Sequence, residues 1–340
     1  MTINELLKAV VKNEASDLHL VAGLPPIMRV SGELQKVKGK ALSDKEVESL
    51  AISMLDKNLQ DKFLRERELD VGYSLPSGER FRVNLHFEKG AISVAARAIP
   101  RDIPDLDEIG LQDVAKKFTE LPHGLVLVTG PTGSGKSTTL AAMINEINKT
   151  RAENIITLED PVEFGFVPDK SIIRQRQLGT DMLTFAEGLK HALRQDPDVI
   201  MVGEMRDLET IATTLTLAET GHLVFATLHT YSAAQTVDRI IDVFPPHQQP
   251  QIRIQLAMTL RGIVSQQLVP KKGGGRAAVR EILVNNAAVA NLIREGKTQQ
   301  IKTVLQTGAK FGMITLEQDF DRLIKEKQVE EETAEEYLVK

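Results

Sequence analysis

The chain has 340 residues, more than one ordinary domain holds and enough for two or three domains with proper cores. It contains no cysteine and no tryptophan, which excludes disulfides, thiolate metal sites and thiol catalysis, and leaves a mainly aliphatic core. Its net charge is −5, with 42 basic residues scattered among 47 acidic ones, so the basic footprint of a nucleic-acid binder is missing and no nucleic-acid partner is expected.

No leader pattern opens the chain, and no apolar run approaches the roughly 18–20 residues of a membrane span, so a soluble, cytoplasmic protein is expected. Thr2-Ile3-Asn4-Glu5 is a capping box ahead of Leu6, Leu7, Val10 and Val11, which predicts a short amphipathic helix. Residues 17–21 and 27–30 alternate in polarity around Gly23 and Pro25-Pro26, as strands do. Residues 43–63 return to helical spacing. Residues 71–75, 80–87 and 92–98 predict an antiparallel set with Pro76-Ser77-Gly78 as a hairpin turn. This makes a small α+β domain over 1–100. Pro100-Arg101-Asp102-Ile103-Pro104 breaks the pattern and opens a linker over 101–120.

Over 121–270, strand-like runs at 125–129, 154–158, 199–202 and 223–227 alternate with helical stretches, which predicts βα units, a parallel sheet and an α/β fold. Lys271-Lys272-Gly273-Gly274-Gly275 then interrupts the chain before a strand at 279–284 and a helical region to 340. The charged tail from Glu326 is expected to be solvated.

The first strand of this core leads into Gly130-Pro131-Thr132-Gly133-Ser134-Gly135-Lys136-Ser137, and Leu140, Met143, Ile144 and Ile147 follow at helical spacing. That is the P-loop pattern in the strand–loop–helix context it requires. Glycines let the backbone wrap so that successive N–H groups converge on phosphate, and the helix dipole adds partial positive charge there. Gly130 to Ser137, with Thr138, form the expected phosphate site. Lys136 would reach the β- and γ-phosphates, and the Ser137 hydroxyl would take one position on Mg²⁺. ATP and Mg²⁺ are the implied substrate and cofactor.

Hydrolysis also needs a group to orient water. Val199-Ile200-Met201-Val202-Gly203-Glu204 is a buried-strand run ending in a carboxylate, which makes Glu204 the expected polarising residue or general base. Ile156-Thr157-Leu158-Glu159-Asp160-Pro161-Val162-Glu163 crowds acids at another strand end. Such crowding calls for a cation, so Glu159 and Glu163 are candidates for Mg²⁺ and Glu163 also for catalysis, with a solvated acidic turn as the alternative. His222 and His229 bracket the strand at 223–227, each open to a role as a γ-phosphate contact or as an ordinary turn residue.

Four blocks, Gly130 to Ser137, Ile156 to Phe164, Asp196 to Asp207 and Gly221 to Thr230, resemble the Walker A, Asp box, Walker B and His box of the type II/type IV secretion ATPase superfamily. Ser16-Asp17-Leu18-His19-Leu20 matches as well, and Ala288-Val289-Ala290-Asn291-Leu292-Ile293-Arg294-Glu295 is similar to the AIRNLIRE helix of its pilus-retraction members. The sequence departs from that helix at Val289 and Ala290, where isoleucine and arginine are usual. Read without the family, the stripe of Val289, Leu292 and Ile293 before Gly296 serves packing.

The resemblance implies a PAS-like N-terminal domain, a RecA-like P-loop ATPase core and a homohexameric motor. It makes a glycine before Glu204 normal and assigns Arg82 and Arg97 to the nucleotide phosphates. It implies pilus retraction, with an inner-membrane platform protein as partner, pilin acted on indirectly, and peripheral membrane association only. Within the family, assembly and secretion ATPases usually add N-terminal domains and a tetracysteine zinc motif, which this sequence lacks. An accessory retraction ATPase, a non-catalytic ATP-dependent scaffold and a RecA-like DNA motor stand as rivals.

Overall fold

The computed structural model describes residues 2–30, 32–100 and 102–338, in two compact units. One comprises Met1–Asp102 with Pro161–Gly165, the other Ile103–Asp160 with Phe166–Lys340. Arg101, where the expected linker begins, lies outside the described residues, as do Met1, Ser31 and the last two residues of the tail.

The first unit is a six-stranded sheet of β1 (Ala15–Leu20), β2 (Ile27–Val30), β3 (Glu33–Lys36), β4 (Glu68–Ser74), β5 (Arg80–Glu88) and β6 (Ala91–Ile99). The order is β3-β2-β1-β6-β5-β4, antiparallel throughout. Alternation sends Leu18, Leu20, Val83, Leu85 and Val94 into one core with Phe63 and the first helix, Ile3–Lys12. The Thr2 hydroxyl accepts from Glu5 N–H while the Glu5 carboxylate accepts from Thr2 N–H, which starts that helix. The stretch 43–63, helical in its spacing, forms two helices, Asp44–Ile52 and Lys57–Glu66. Asp56 starts the second by accepting from Leu59 N–H at 2.9 Å, a cap that competes with helix continuation. At the β4–β5 turn, Leu75 N–H donates to Glu79 O and Gly78 N–H to Leu75 O.

On the opposite face of this sheet, register aligns Arg29, Asp17, Arg97 and Arg82 in one cross-strand row. Asp17 is buried between two arginines, with Arg97 Nε 2.8 Å and Arg29 Nε 3.7 Å from its carboxylate oxygens. Burial pushes its carboxyl pKa up, but hydrogen bonds from Ser16 and Arg97 and the Arg97 charge outweigh that and hold it below its ordinary 3.8. A depressed acid contributes stability above its unfolded pKa and loses it as pH falls through the folded value. Thermal unfolding of wild type should therefore weaken more steeply below about pH 4 than that of Asp17→Asn; parallel pH profiles would show that the row adds nothing.

The second unit holds β7 (Gly124–Thr129), β8 (Asn154–Glu159), β9 (Ile172–Gln177), β10 (Val199–Val202), β11 (Leu223–Leu228), β12 (Leu260–Pro270) and β13 (Arg276–Val284). Their order is β13-β12-β7-β11-β10-β8-β9, parallel from β9 through β12 and closed by the antiparallel β12–β13 pair. The central strands are buried on both faces, which is why they read as unbroken apolar runs. Leu125, Leu127, Ile156, Ile200 and Val224 face one cluster of helices, and Val126, Val128, Ile155, Val199 and Phe225 face the other. This is the expected α/β core with a RecA-like sheet, preceded by an N-terminal domain.

Three stretches differ from the sequence reading. Residues 103–120 hold a short helix, Asp113–Lys116, and bury Leu106, Leu111, Ala115 and Phe118 in the second unit's core. The tail packs rather than floats, since Val329 and Ala334 join Phe320 and Leu323 against Val269, Ala277 and Val279. Strand β12 is the third. The helix Ala287–Glu295 buries Val289 and Ile293, with Asn286 accepting from Ala288 and Val289 N–H at its start.

Candidate active site

The parallel strands all end at one edge, where a doubly wound sheet places its ligands. Strand β7 ends at Thr129, and the chain turns through Gly130–Gly135 into the helix Lys136–Thr150. Gly130 is required twice over: φ is +142°, and a Cβ would stand 2.1 Å from Gln266 O. Gly135 precedes the helix and offers no capping side chain, so the first-turn N–H groups face the loop's concave side. Lys136 Nζ donates to Gly130 O at 2.8 Å and Pro131 O at 3.0 Å, which folds it back over that concavity. Ser134 Oγ is buried and has no hydrogen-bond partner among the described residues. Beside the loop, Gly135, Thr138, Thr139, Gln266, Leu268 and Arg276 line a cavity of about 540 Å³.

The loop is braced from β12 by a residue the sequence reading did not name. Gln266 is buried, its Nε2 donates to Ser134 O at 2.7 Å, and its Oε1 accepts from Thr139 Oγ1 at 2.8 Å. One amide thus fastens the loop to the helix behind it. Replacing Gln266 by alanine strands a buried carbonyl and a buried hydroxyl, at a cost of about 1–3 kcal/mol of stability. It should also weaken ADP binding about tenfold, measured by calorimetry; unchanged affinity would limit Gln266 to packing.

Glu204 follows β10, two strands from β7 and hence about 10 Å along the edge. Its side chain is 14% exposed and clamped from both sides, with Arg206 Nε 2.7 Å from Oε1 and His229 Nε2 3.5 Å from Oε2. His229 arrives from the end of β11. Thr227 Oγ1 donates to Gly203 O and Met205 N–H to Thr227 O, so β11 and the turn carrying Glu204 are locked together. Gly203 stands where an aspartate is common, and β8 lies close there: its N–H donates to Leu158 O at 2.7 Å, and a Cβ would lie 3.1 Å from that oxygen, tight enough that the neighbour would have to shift.

Three further candidates lie away from this loop or in the other unit. His222 sits at the opposite end of β11, roughly 20 Å from His229 at strand spacing, as their seven-residue separation implies, and its Nδ1 lies 3.0 Å from Leu217 O at a helix end. Glu159 is buried at the end of β8, three strands from β7, and accepts from Thr157 Oγ1 at 2.6 Å and Gln175 Nε2 at 3.0 Å. Both of these donors are neutral, and the strand order sets Glu159 three strands away from the loop that carries Ser137. Glu163 is exposed on the Pro161–Gly165 segment, which groups with the first unit. Among the described residues no three acidic or histidine side chains converge as a metal cage. Arg82 and Arg97 face each other directly across β5 and β6, and Arg82 Nε lies 3.7 Å from Asp70 Oδ1.

The type II/IV secretion system protein family model matches residues 1–337. The chain is 45% identical over 336 residues to the type IV pilus retraction ATPase PilT of Pseudomonas aeruginosa, spanning 99% of this chain and 98% of that protein. It is 46% identical over 315 residues to a twitching motility protein of Neisseria gonorrhoeae, spanning 92% of this chain and 84% of the other. A crystal structure of the pilus retraction motor PilT with bound ADP superposes with a TM-score of 0.92 at 44% identity, covering 99% of this chain and 96% of that one. With the P-loop at the head of a doubly wound sheet and likeness running through both units, the chain belongs to the type II/IV secretion system protein family.

Proposed function

We propose that this protein is an ATP-hydrolysing homohexameric motor that powers type IV pilus retraction, drawing pilin back toward the inner membrane. The observation that carries the reading is the near full-length likeness to pilus retraction ATPases, which extends beyond the P-loop core into the N-terminal unit. In this reading the motor works in the cytoplasm, peripheral to the inner face of the membrane, against a platform protein. Among the described residues no helix is long and apolar enough to cross a membrane.

ATP is the substrate. Loop N–H groups from 132 to 137 bind its phosphates, and Lys136 Nζ exchanges the carbonyls of Gly130 and Pro131 for β- and γ-phosphate oxygens. The 540 Å³ cavity beside Thr138 and Thr139 takes the nucleoside. The absence of an acidic cage among the described residues fits Mg²⁺, which keeps most of its waters and needs here only the Ser137 hydroxyl and the phosphates. When bound, Mg²⁺ neutralises charge on the β- and γ-phosphates. Glu204, held by Arg206 and His229, orients the attacking water and accepts its proton. We assign Arg82 and Arg97 to phosphate-charge neutralisation, on the resemblance and on their side-by-side placement.

The test is ATPase activity of the purified protein together with its mass by light scattering, followed by complementation of a strain lacking its retraction ATPase. Magnesium-dependent turnover in a six-subunit particle and restored twitching are expected. Nucleotide binding without turnover would favour a scaffold instead.

A further inference from the structure

Away from the P-loop, a second cavity of about 570 Å³ opens between β13, the helix Ala233–Asp242 and the C-terminal helices. Its size falls within the range of small-molecule sites. Glu281 of β13 forms part of its wall although the residue is only 8% exposed. One oxygen, Oε1, accepts from Ala233 N–H at 2.7 Å. The other, Oε2, accepts no hydrogen bond from any described residue. Lys302, the ammonium among the lining residues, is already engaged by Glu317 at 3.0 Å. The described lining residues therefore carry two carboxylates against one ammonium and are one positive charge short. Tyr231 and Tyr337 add aromatic rings, and Leu316 an apolar wall.

A largely buried carboxylate whose second oxygen faces an open cavity presents a ready acceptor to whatever enters it. Burial pushes the Glu281 carboxyl pKa up, the Ala233 N–H pulls it back, Glu317 raises it and Lys302 lowers it. A monovalent cation with a flat or apolar body answers each feature at once. Its N–H donors reach Oε2, its charge balances the lining, and its body lies against the tyrosine rings and Leu316.

We propose that this cavity is a binding site for a small organic cation, an amidinium or ammonium group on an apolar or aromatic body, with Glu281 as its anionic anchor. The site is separate from the hydrolysis reading and does not depend on it. It borders that machinery, because the helix whose first N–H Glu281 holds follows directly on the segment carrying His229.

Benzamidine and its uncharged counterpart benzamide, titrated into the full-length protein by calorimetry, test the charge requirement without any substitution. Benzamidine should bind at least tenfold more tightly, and a co-crystal should place its amidinium on Glu281. Glu281→Gln, which keeps an acceptor for Ala233 N–H, should erase that ratio. Leu316→Trp, which fills the cavity and leaves the anchor intact, should abolish binding with the melting temperature retained. Equal affinity for the two probes, no binding at millimolar benzamidine, or a co-crystal with the probe elsewhere would each overturn the proposal.

Discussion

Replacing Glu204 by glutamine should lower ATP turnover by about 100- to 10,000-fold while nucleotide affinity stays near that of the parent chain. The amide keeps the size of the side chain, and its oxygen can still accept from Arg206 Nε, now 2.7 Å from Oε1. What it loses is the ability to take a proton from water. Lys136→Ala provides the contrast, because it removes a group that binds the phosphates in ground and transition states alike and should depress affinity as well as rate. Phosphate-release kinetics beside ADP calorimetry separate the two. A Glu204→Gln protein retaining more than about a tenth of parent turnover would remove Glu204 from the role of base.

The largest stability loss is expected at Asp319, far from the P-loop. Its side chain has no solvent exposure and accepts three hydrogen bonds, from Gln112 Nε2 at 3.0 Å, Arg322 Nε at 2.7 Å and Arg280 N–H at 2.7 Å. Arg280 is itself 1% exposed, with its guanidinium donating to Gly110 O and Ile109 O. Burial lowers the Arg280 pKa to about 10, and the Asp319 charge is what opposes that shift. Asp319→Ala leaves a buried guanidinium uncompensated and three donors without an acceptor, a loss of about 3–5 kcal/mol. Urea denaturation followed by a probe in the second unit measures it. A midpoint near that of wild type would mean that water replaces the carboxylate and that the network is not tightly closed.

Both predictions concern residues whose legibility in the sequence differed, for a physical reason. Glu204 could be read because strand burial and chain position are local: four apolar residues run into an acid at the end where ligands collect. The P-loop is likewise a contiguous pattern flanked by its own strand and helix. Strand β12 could not be read in that way, since Gln266 and Gln267 interrupt its apolar pattern. Those polar residues earn their place only through partners far off in sequence, as Gln266 does with Ser134 and Thr139. Gly203 shows the same limit, because the tight space beside it is set by the Leu158 backbone, remote in sequence. The helical spacing over 43–63 was legible, but the break into two helices at Asp56, whose side chain accepts from Leu59 N–H, was not. His222 and His229 could be told apart by their seven-residue separation, which sends them to opposite ends of one strand, but which of them meets a ligand depends on neighbours remote in sequence.

The bracing of the P-loop by Gln266 also bears on how the protein is made. Thr139 and Gln266 are 127 positions apart, and β12 must be laid against β7 before the amide can reach the loop. At roughly 5–20 residues per second of synthesis, about 6–25 seconds separate their emergence from the ribosome. During that interval β7 has both edges bare until β11 is made and one bare until β12 follows, and the phosphate loop has no fastening from behind. A nascent chain stopped before residue 260 should therefore neither retain ADP nor resist proteolysis around residue 130, and nucleotide affinity should appear abruptly once β12 has left the exit tunnel.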